Sequence, residues 1–250
     1  GNNYTSAWIA LHGSDGEAGK IQSLLDMLNI RYTGSGPLAC SLTMNKLFTK
    51  RLLLQNDFKT PDFKLVTHIN QFEEVAELLK IPFVLKPCSQ GSSIGISIIE
   101  NQNDFEKDFR VLEKFNDWII AESYLVSSEY TAAFLNEKIL PLIKIDASHE
   151  HFYNYEAKYF SDETKYICPS GLDLRVEERI QKRCFNACKL FAIRGWGRID
   201  FFIDHNDEPV ILEINTVPGM TTHSLVPMAA SEIGIDFDQL CYDILEMSAV

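Results

Sequence analysis

Alternating apolar and polar positions divide the chain into short strands and amphipathic helices. Alternating or continuous apolar runs predict strands at residues 6–11, 63–66, 83–86, 96–99, 118–122, 129–136 and 139–145. Apolar positions three and four residues apart predict helices at 17–29, 37–56, 70–80, 103–115, 173–193, 224–234 and 236–247. The pattern therefore predicts an α/β chain built of α+β lobes.

Two further apolar strands, residues 198–204 and 210–215, are joined by a polar turn at 205–208. We place the centre of that turn between Asn206 and Asp207, as in a two-residue hairpin loop. Side chains alternate between the two faces of a strand, so one face of this hairpin is apolar and suits a core. It carries Ile199, Phe201, Ile203, Val210, Leu212 and Ile214.

The opposite face of the hairpin is polar, with Asp200 opposite Glu213 and Arg198 opposite Asn215. Opposed Cβ atoms lie about 5 Å apart, where two carboxylates repel by about 3 kcal/mol at an effective dielectric near 20. A hard divalent cation would offset that repulsion, and Asn215 would add a neutral oxygen. Three protein ligands are few for Ca²⁺. They fit Mg²⁺ better, because Mg²⁺ can complete its shell with substrate phosphates. The alternative is an exposed hairpin whose polar face meets water.

Composition restricts the possible functions. The 250 residues are 46% hydrophobic and 23% charged, which is enough for one large domain or several small ones. A net charge of −12 argues against non-specific binding of nucleic acid. No apolar run approaches the roughly 20 residues of a membrane span, and residues 1–4 lack the features of a signal peptide. We expect a cytoplasmic protein with reduced cysteines, no nucleic-acid partner and no membrane contact.

A glycine- and serine-rich loop at residues 86–95 lies between two predicted strands. Small residues let backbone N–H groups approach an anion, although the loop is not a P-loop and no GxGxxG fingerprint occurs in the chain. Lys86 ends the preceding strand, and Lys46 lies in the long helix 37–56. Phosphates would give both ammonium groups an anionic partner. An ordinary flexible turn and solvated lysine heads are the alternative.

Two other places carry candidate chemistry. Glu122 ends one strand and Glu129 begins the next, so that these acids could accept from a nucleobase amine and ribose hydroxyls, or could simply be solvated. Residues 216–227 form a tight turn before a hydroxyl-rich helix start, which favours a carboxylate or phosphate. Helix capping by His223 or Ser224 is the alternative there.

Taken in order, these pieces resemble the ATP-grasp superfamily and, within it, the D-alanine–D-alanine ligases. The resemblance covers essentially the whole chain. Its most specific stretches are Tyr155–Tyr159, Gly195–Asp200 and Pro218–Ala230. It implies an ATP-grasp fold with a truncated N-terminal α/β domain, because the family normally begins with a strand, a glycine turn, a helix and a substrate-orienting glutamate that precede this chain.

The resemblance implies a reaction in which two D-alanine molecules are ligated through an acyl phosphate. It also implies ATP as a substrate and two metal ions, which would be Mg²⁺ or Mn²⁺. Asp200, Glu213 and Asn215 would hold the metal. The ATP site would comprise Lys46, Lys86, Gly91, Ser93, Glu122, Leu125, Glu129 and Lys158. The catalytic residues would be Ser92, Tyr159, Arg198 and Gly219. The substrate-binding residues would be His12, Ser224 and Leu225.

The resemblance also implies a division into a remnant of the N-terminal substrate domain at 1–36, a central lobe at 37–122 and a C-terminal lobe at 123–250. The C-terminal lobe would carry the metal site and a mobile loop at 152–171, and a homodimer is compatible with the family. Tyr159 favours an amine over a hydroxyl as the second nucleophile. Two alternatives stay open: a truncated, non-catalytic form that binds ATP and Mg²⁺, and an ATP-grasp ligase of another amino or hydroxy acid.

Overall fold

The structure is a computed structural model that describes residues 5–91, 94–146 and 164–248. Its first part is a parallel two-stranded sheet of β1 (Ser6–Ala7) and β2 (Arg31–Tyr32), with α1 (Ser14–Glu17) and α2 (Lys20–Met27) between the strands. The helix predicted over 17–29 is interrupted at Gly19, which has a φ of +88°. A Cβ at Gly19 would lie 2.6 Å from the carbonyl oxygen of Pro37, so the close approach requires glycine.

The helix predicted over 37–56 is also two helices, α3 (Pro37–Met44) and α4 (Lys46–Gln55). Asn45 between them is extended, and its side-chain oxygen accepts a hydrogen bond from the Phe48 amide at 3.2 Å. This is an N-cap, which the periodicity of apolar residues does not reveal. The break makes Lys46 the first residue of α4, where its amide donates to the Cys88 carbonyl at 3.0 Å.

A four-stranded antiparallel sheet follows, in the order β3–β6–β4–β5. Its strands are β3 (Phe63–Val66), β4 (Phe83–Pro87), β5 (Ser97–Ile99) and β6 (Ile119–Ser123). Helices α5 (Phe72–Leu79) and α6 (Gln102–Leu112) supply apolar side chains to the core of this sheet. Contacts between the rings of Phe72, Phe83 and Phe105 lie at the centre of that core.

The second large sheet is antiparallel and is formed by β7 (Glu129–Leu135), β8 (Lys138–Ile139), β9 (Ile143–Asp146), β10 (Lys165–Ile167), β11 (Trp196–Ile203) and β12 (Pro209–Asn215). The order is β10–β9–β7–β11–β12, and β8 pairs with β7. Helix α7 (Leu174–Leu190) contributes to one core of this lobe. Helices α8 (Leu225–Glu232) and α9 (Phe237–Met247) contribute to a second core around Trp196.

The hairpin β11–β12 has the predicted register at its polar end, where Asp200 pairs with Glu213 and Arg198 with Asn215. A β-bulge beyond Asp200 shifts the register by one residue, so Phe201 pairs with Ile211. The two-residue turn was therefore wrong. The loop spans residues 204–208 and is centred on Asn206, with the Asp204 amide donating to the Glu208 carbonyl at 3.0 Å.

The bulge also changes which side chains face the core. Ile199, Phe201 and Ile214 are buried as expected, and the half-buried Ile203 packs against them. Val210 and Leu212 are only half-buried, so their placement in the core was wrong, and the fully buried Ile211 takes that place. An extra residue on one strand of a pair reverses the alternation beyond it.

Contacts across the fold hold the loop end of this hairpin. The Ile211 amide donates to the Lys59 carbonyl at 2.8 Å, and the Lys59 ammonium pairs with Asp204 at 2.5 Å. On the other side Arg179 of α7 donates to the Asp207 carbonyl at 3.1 Å. These contacts fix one end of the hairpin while its other end presents the polar side chains.

The composition of residues 33–36, Thr-Gly-Ser-Gly, predicts a linker, but the segment is packed rather than exposed. Thr33 and Ser35 are buried, and their hydroxyl groups accept hydrogen bonds from the amides of Ile9 and Arg194. The division of the chain into domains at 36 and 122 stays a prediction. Among the described residues, none of the helices has both the length and the apolar character needed to cross a bilayer.

The bulge can be tested by a pair of neighbouring substitutions. We expect Ile211→Ala to lower the free energy of unfolding by about 2–5 kcal/mol, because it leaves a cavity in the core. Leu212→Ala removes a half-buried side chain and is expected to cost about 1 kcal/mol. Urea unfolding of both variants is the measurement. A larger loss for Leu212→Ala would contradict the bulged register.

Candidate active site

A cleft of about 630 Å³ lies against the polar end of the hairpin β11–β12. It brings together residues from the N-terminal segment, the glycine loop, the strands β11 and β12 and the turn before α8. The predicted site residues that line it are His12, Gly91, Glu129, Arg198, Asp200, Glu213, Asn215, Gly219, Ser224 and Leu225. Residues far apart in the sequence thus share one cleft.

Asp200 is the most tightly held carboxylate of the cleft. Its side chain is 2% exposed, and Arg198 donates two hydrogen bonds to it, from Nε at 2.8 Å and from a terminal nitrogen at 2.7 Å. Asn215 donates its side-chain amide to the same carboxylate at 3.0 Å. This leaves the carbonyl oxygen of Asn215 as its acceptor on the polar face.

Thr131 of β7 is a further partner of Asp200. The antiparallel pairing of β7 with β11 sets Thr131 opposite Asp200, and its hydroxyl donates to Oδ1 of Asp200 at 2.7 Å. Thr131 is buried, so this hydrogen bond is shielded from water. Sequence reasoning missed Thr131, because it depends on a strand pairing that the chain pattern alone did not give.

Lys46 lies beside this carboxylate cluster. It lines a small cavity next to the cleft together with Gln90, Gly91, Glu213 and Asn215. Its ammonium donates to the Gln90 carbonyl at 2.5 Å. Burial lowers the pKa of Lys46, and the negative charge of Glu213 opposes that shift. The glycine loop and the lysine that begins α4 therefore meet at the polar end of the hairpin, where the sequence predicts a phosphate site.

Lys86 and Glu122 lie behind the glycine loop in a buried cluster of charges. Lys86 donates to Oε1 of Glu122 at 2.9 Å, and Lys50 of α4 pairs with Oε2 at 2.6 Å. Burial raises the pKa of Glu122, but the two ammonium groups outweigh that effect and hold its pKa below the ordinary value. Both carboxylate oxygens of Glu122 thus contact lysines in this structure, and its predicted contact with adenine or ribose stays a prediction.

Lys50 was not among the predicted site residues, although a signal for it was present. It follows Lys46 by four residues on the same helix, and such positions share one face. A second lysine facing the same way as a candidate phosphate ligand could have been selected on that ground. Its partner Glu122 could not, because the contact depends on how α4 packs against β6.

His12 and Glu17 also line the cleft, and their side chains are within hydrogen-bonding distance, with His12 Nδ1 3.3 Å from Glu17 Oε1. The hydrogen bond to Glu17 raises the pKa of His12 against the lowering effect of burial. Glu17 also lies close to the glycine loop, since a Cβ at Gly91 would be 3.3 Å from its Oε2. Glu17 therefore links the N-terminal segment to the loop, a role absent from the prediction.

The turn before α8 contributes Gly219 and Ser224. Ser224 occupies the N-cap position, but its side chain does not cap the helix. Its hydroxyl accepts from the Thr221 amide at 3.0 Å instead, so the capping alternative was wrong for Ser224. Gly219 lies close to this hydroxyl group, since a Cβ at Gly219 would be 3.1 Å from the Ser224 hydroxyl oxygen. Both residues line the cleft.

The remaining predicted residues fall in two groups. Leu125 lies half-buried in the connection between β6 and β7. Ser92, Ser93, Lys158 and Tyr159 lie outside the described residues, as do residues 152–163 of the predicted mobile loop 152–171. The rest of that predicted loop includes the strand β10 (Lys165–Ile167). The roles of Ser92, Ser93, Lys158 and Tyr159 stay predictions.

The donor set of the hairpin fits a hard divalent cation. Two carboxylates and one amide carbonyl supply oxygen ligands only, which suit Mg²⁺ or Mn²⁺ with the remaining positions taken by phosphate and water. Within the described parts of the chain, His, Cys, Asp and Glu side chains form no group of three or more that could hold a metal alone.

Comparisons with known proteins show which sequences and structures this chain resembles. A family model for the C-terminal part of D-ala D-ala ligases matches residues 53–246. The D-alanine–D-alanine ligase of Nitrosomonas europaea is 41% identical over 98% of this chain and 80% of its own length. That of Nitrosococcus oceani is 43% identical over 98% of this chain and 77% of its own.

The fold agrees as well. The crystal structure of the Bacillus anthracis D-alanine–D-alanine ligase in complex with ATP superposes with a TM-score of 0.84 at 29% identity, covering 98% of this chain and 79% of that one. This match confirms the predicted α/β class and the ATP-grasp architecture. By sequence, by fold and by the residues gathered in its cleft, the chain belongs to the D-alanine–D-alanine ligase family, whose members are ATP-dependent ligases.

Proposed function

We propose that this protein ligates two D-alanine molecules to D-alanyl-D-alanine at the expense of ATP, for the synthesis of peptidoglycan precursors in the cytoplasm. The observation that carries the proposal is the single cleft in which Asp200, Glu213 and Asn215 meet Arg198 and Gly219. Two acids in this register suit a metal–phosphate ligand, and an arginine beside them suits a developing negative charge.

The reaction needs two displacements. A carboxylate oxygen of the first D-alanine attacks the γ-phosphorus of ATP, the bond to the β–γ bridging oxygen breaks, and ADP leaves. The amine nitrogen of the second D-alanine then attacks the acyl carbon, the bond from that carbon to the phosphate oxygen breaks, and the amine loses a proton. The products are the dipeptide, ADP and phosphate.

The side chains of this chain divide that work. Asp200, Glu213 and Asn215 would hold Mg²⁺, which supplies charge neutralisation on the phosphates when bound. Lys46 and Lys86 would bind the phosphate oxygens, and Gly91 and Ser93 would offer backbone amides to them. Glu122, Leu125 and Glu129 would contact the nucleoside, and Lys158 would close over the γ-phosphate.

The substrate end of the cleft would bind and activate the two amino acids. Ser92 and Tyr159 would orient the first D-alanine, while His12, Ser224 and Leu225 would contact the second. Arg198 and the Gly219 amide would stabilise the oxyanion that forms on the attacked carbonyl. Arg198 is well placed for this, because its pairing with Asp200 fixes the planar guanidinium in the cleft. A second metal ion and a homodimer stay predictions.

The proposal is tested by phosphate release from Mg-ATP with and without D-alanine, together with detection of the dipeptide. We expect phosphate release that depends on D-alanine and matches dipeptide formation one to one. Binding of Mg-ADP without any release would support the non-catalytic alternative. Release that another amino or hydroxy acid stimulates better than D-alanine would support a ligase of different specificity.

The role of Arg198 gives a sharper prediction. Arg198→Met is expected to lower kcat by about 10²–10³, because it removes a donor to the developing oxyanion, and to change the Kd for Mg-ADP much less. Arg179→Met is the matched control, since Arg179 contacts the far end of the same hairpin and should retain nearly full kcat. Steady-state kinetics and nucleotide titration are the measurements. Equal losses in both variants would contradict the role of Arg198.

A further inference from the structure

The ammonium group of Lys50 is completely buried in the lobe that carries the glycine loop. Its side chain is 0% exposed. Its nitrogen lies 2.6 Å from Oε2 of Glu122, donates to the Thr60 hydroxyl at 2.8 Å and lies 5.8 Å from the centroid of the Phe63 ring. A lysine enclosed in this way cannot reach a ligand in the cleft. Its charge can act only through the groups it contacts.

The carboxylate of Glu122 is shared between two lysines. Lys50 contacts one oxygen, and Lys86 contacts the other at 2.9 Å. Two ammonium groups around one carboxylate leave a net charge of about +1 on this cluster. Lys86 is the member that is still 9% exposed, and it lies next to the last residue of β4, the strand before the glycine loop. The surplus charge therefore lies on the side of the predicted phosphate site.

We propose that Lys50 is a positioning residue that acts as the counter-ion of Glu122 and thereby leaves the charge of Lys86 available to the phosphates of ATP. The inference rests on the proposed function, in which Lys86 binds those phosphates. Without Lys50, Glu122 and Lys86 would form a neutral pair. The buried carboxylate would then hold the ammonium group that the nucleotide needs.

The same cluster makes nucleotide affinity depend on pH. The charged groups facing Lys50 are Glu122, Lys86 and Lys46. Burial lowers the pKa of Lys50 to about 8, although the negative charge of Glu122 opposes the shift. Because this folded-state pKa lies below the ordinary lysine value, Lys50 loses its proton as the pH rises through about 8. Glu122 is then left to Lys86 alone, so the affinity for phosphates should fall over the same range.

The test is the affinity of the full chain for Mg-ADP, measured by calorimetry for the wild type and for Lys50→Met. At about pH 7 we expect the variant to bind about tenfold more weakly, the typical size of one charge-assisted contact. At about pH 9.5 the two proteins should bind alike, because the Lys50 side chain of the wild type is then uncharged, as is the methionine side chain of the variant. The ratio of the two affinities cancels, to first order, any pH dependence that the two proteins share.

Arg51→Met is the matched control. Arg51 is the next residue on α4 and carries the same charge, but its side chain is exposed. We expect its affinity to stay within about twofold of the wild type, because an exposed charge is screened. A comparable loss for Arg51→Met would mean that only the overall charge of the helix matters, and it would overturn the inference.

The outcomes separate this inference from the proposed function. If the wild type does not bind Mg-ADP, the proposed function fails and this inference fails with it. If the wild type binds and Lys50→Met binds equally well at pH 7, only this inference fails. If Lys50→Met binds more weakly than the wild type by the same factor at pH 7 and at pH 9.5, the role of Lys50 is merely structural, since packing does not titrate, and the inference is overturned.

Thr60→Val keeps the inference testable if Lys50→Met does not fold. It retains Lys50 and removes the hydroxyl that accepts its hydrogen bond at 2.8 Å. The charged form of Lys50 loses a partner, so its pKa falls further. We expect the pH at which affinity for Mg-ADP falls to move to a lower value than in the wild type. An unchanged midpoint would contradict the inference.

Discussion

The antiparallel pairing of β11 with β12 is the constraint on which the site depends. It sets two carboxylates, Asp200 and Glu213, opposite each other at one end of a buried hairpin. Such a pair is costly unless cations surround it. The structure meets this need from the strand itself, through Arg198, and from the side, through Lys46. The fold thus gathers the charges that a metal–nucleotide ligand would rearrange.

A second balance of charge lies on the phosphate side of the cleft. Glu122 is enclosed between Lys50 and Lys86, in a lobe whose four-stranded sheet places β4 and β6 side by side. Lys46 is close to both clusters, because its charge interacts with Glu213 of the first and with Lys86 and Glu122 of the second. An anion entering there meets positive charge that is already positioned, so little reorganisation is needed when it binds.

Much of this arrangement could be predicted from local sequence signals. The register of Asp200 with Glu213 was predicted correctly, but from a two-residue turn that does not exist. The loop is longer than expected, and the bulge beyond Asp200 compensates for it by one residue. Alternation of side chains shows that a hairpin has two faces, but it cannot locate an extra residue within a strand. Val210 and Leu212 were therefore placed on the wrong face.

The missed residues share a physical reason. Thr131, Glu17 and Lys50 act through partners on other elements, and those contacts exist only after the sheets and helices pack. The break at Asn45 was missed because capping by a single side chain overrides a continuous helical pattern. Chemistry carried by one segment, such as the hairpin acids or the turn at Gly219, is visible in the sequence. Contacts between residues on different packed elements can be identified only when the fold is known.

The proposed function requires that Asp200, Glu213 and Asn215 share one divalent ion with the nucleotide phosphates. Anomalous diffraction from a crystal containing Mn²⁺ and ADP tests it most directly, because the signal locates the metal itself. We expect an anomalous peak at coordination distance, about 2–2.5 Å, from side-chain oxygens of Asp200, Glu213 and Asn215. A bound nucleotide whose metal lies away from these three side chains would contradict it.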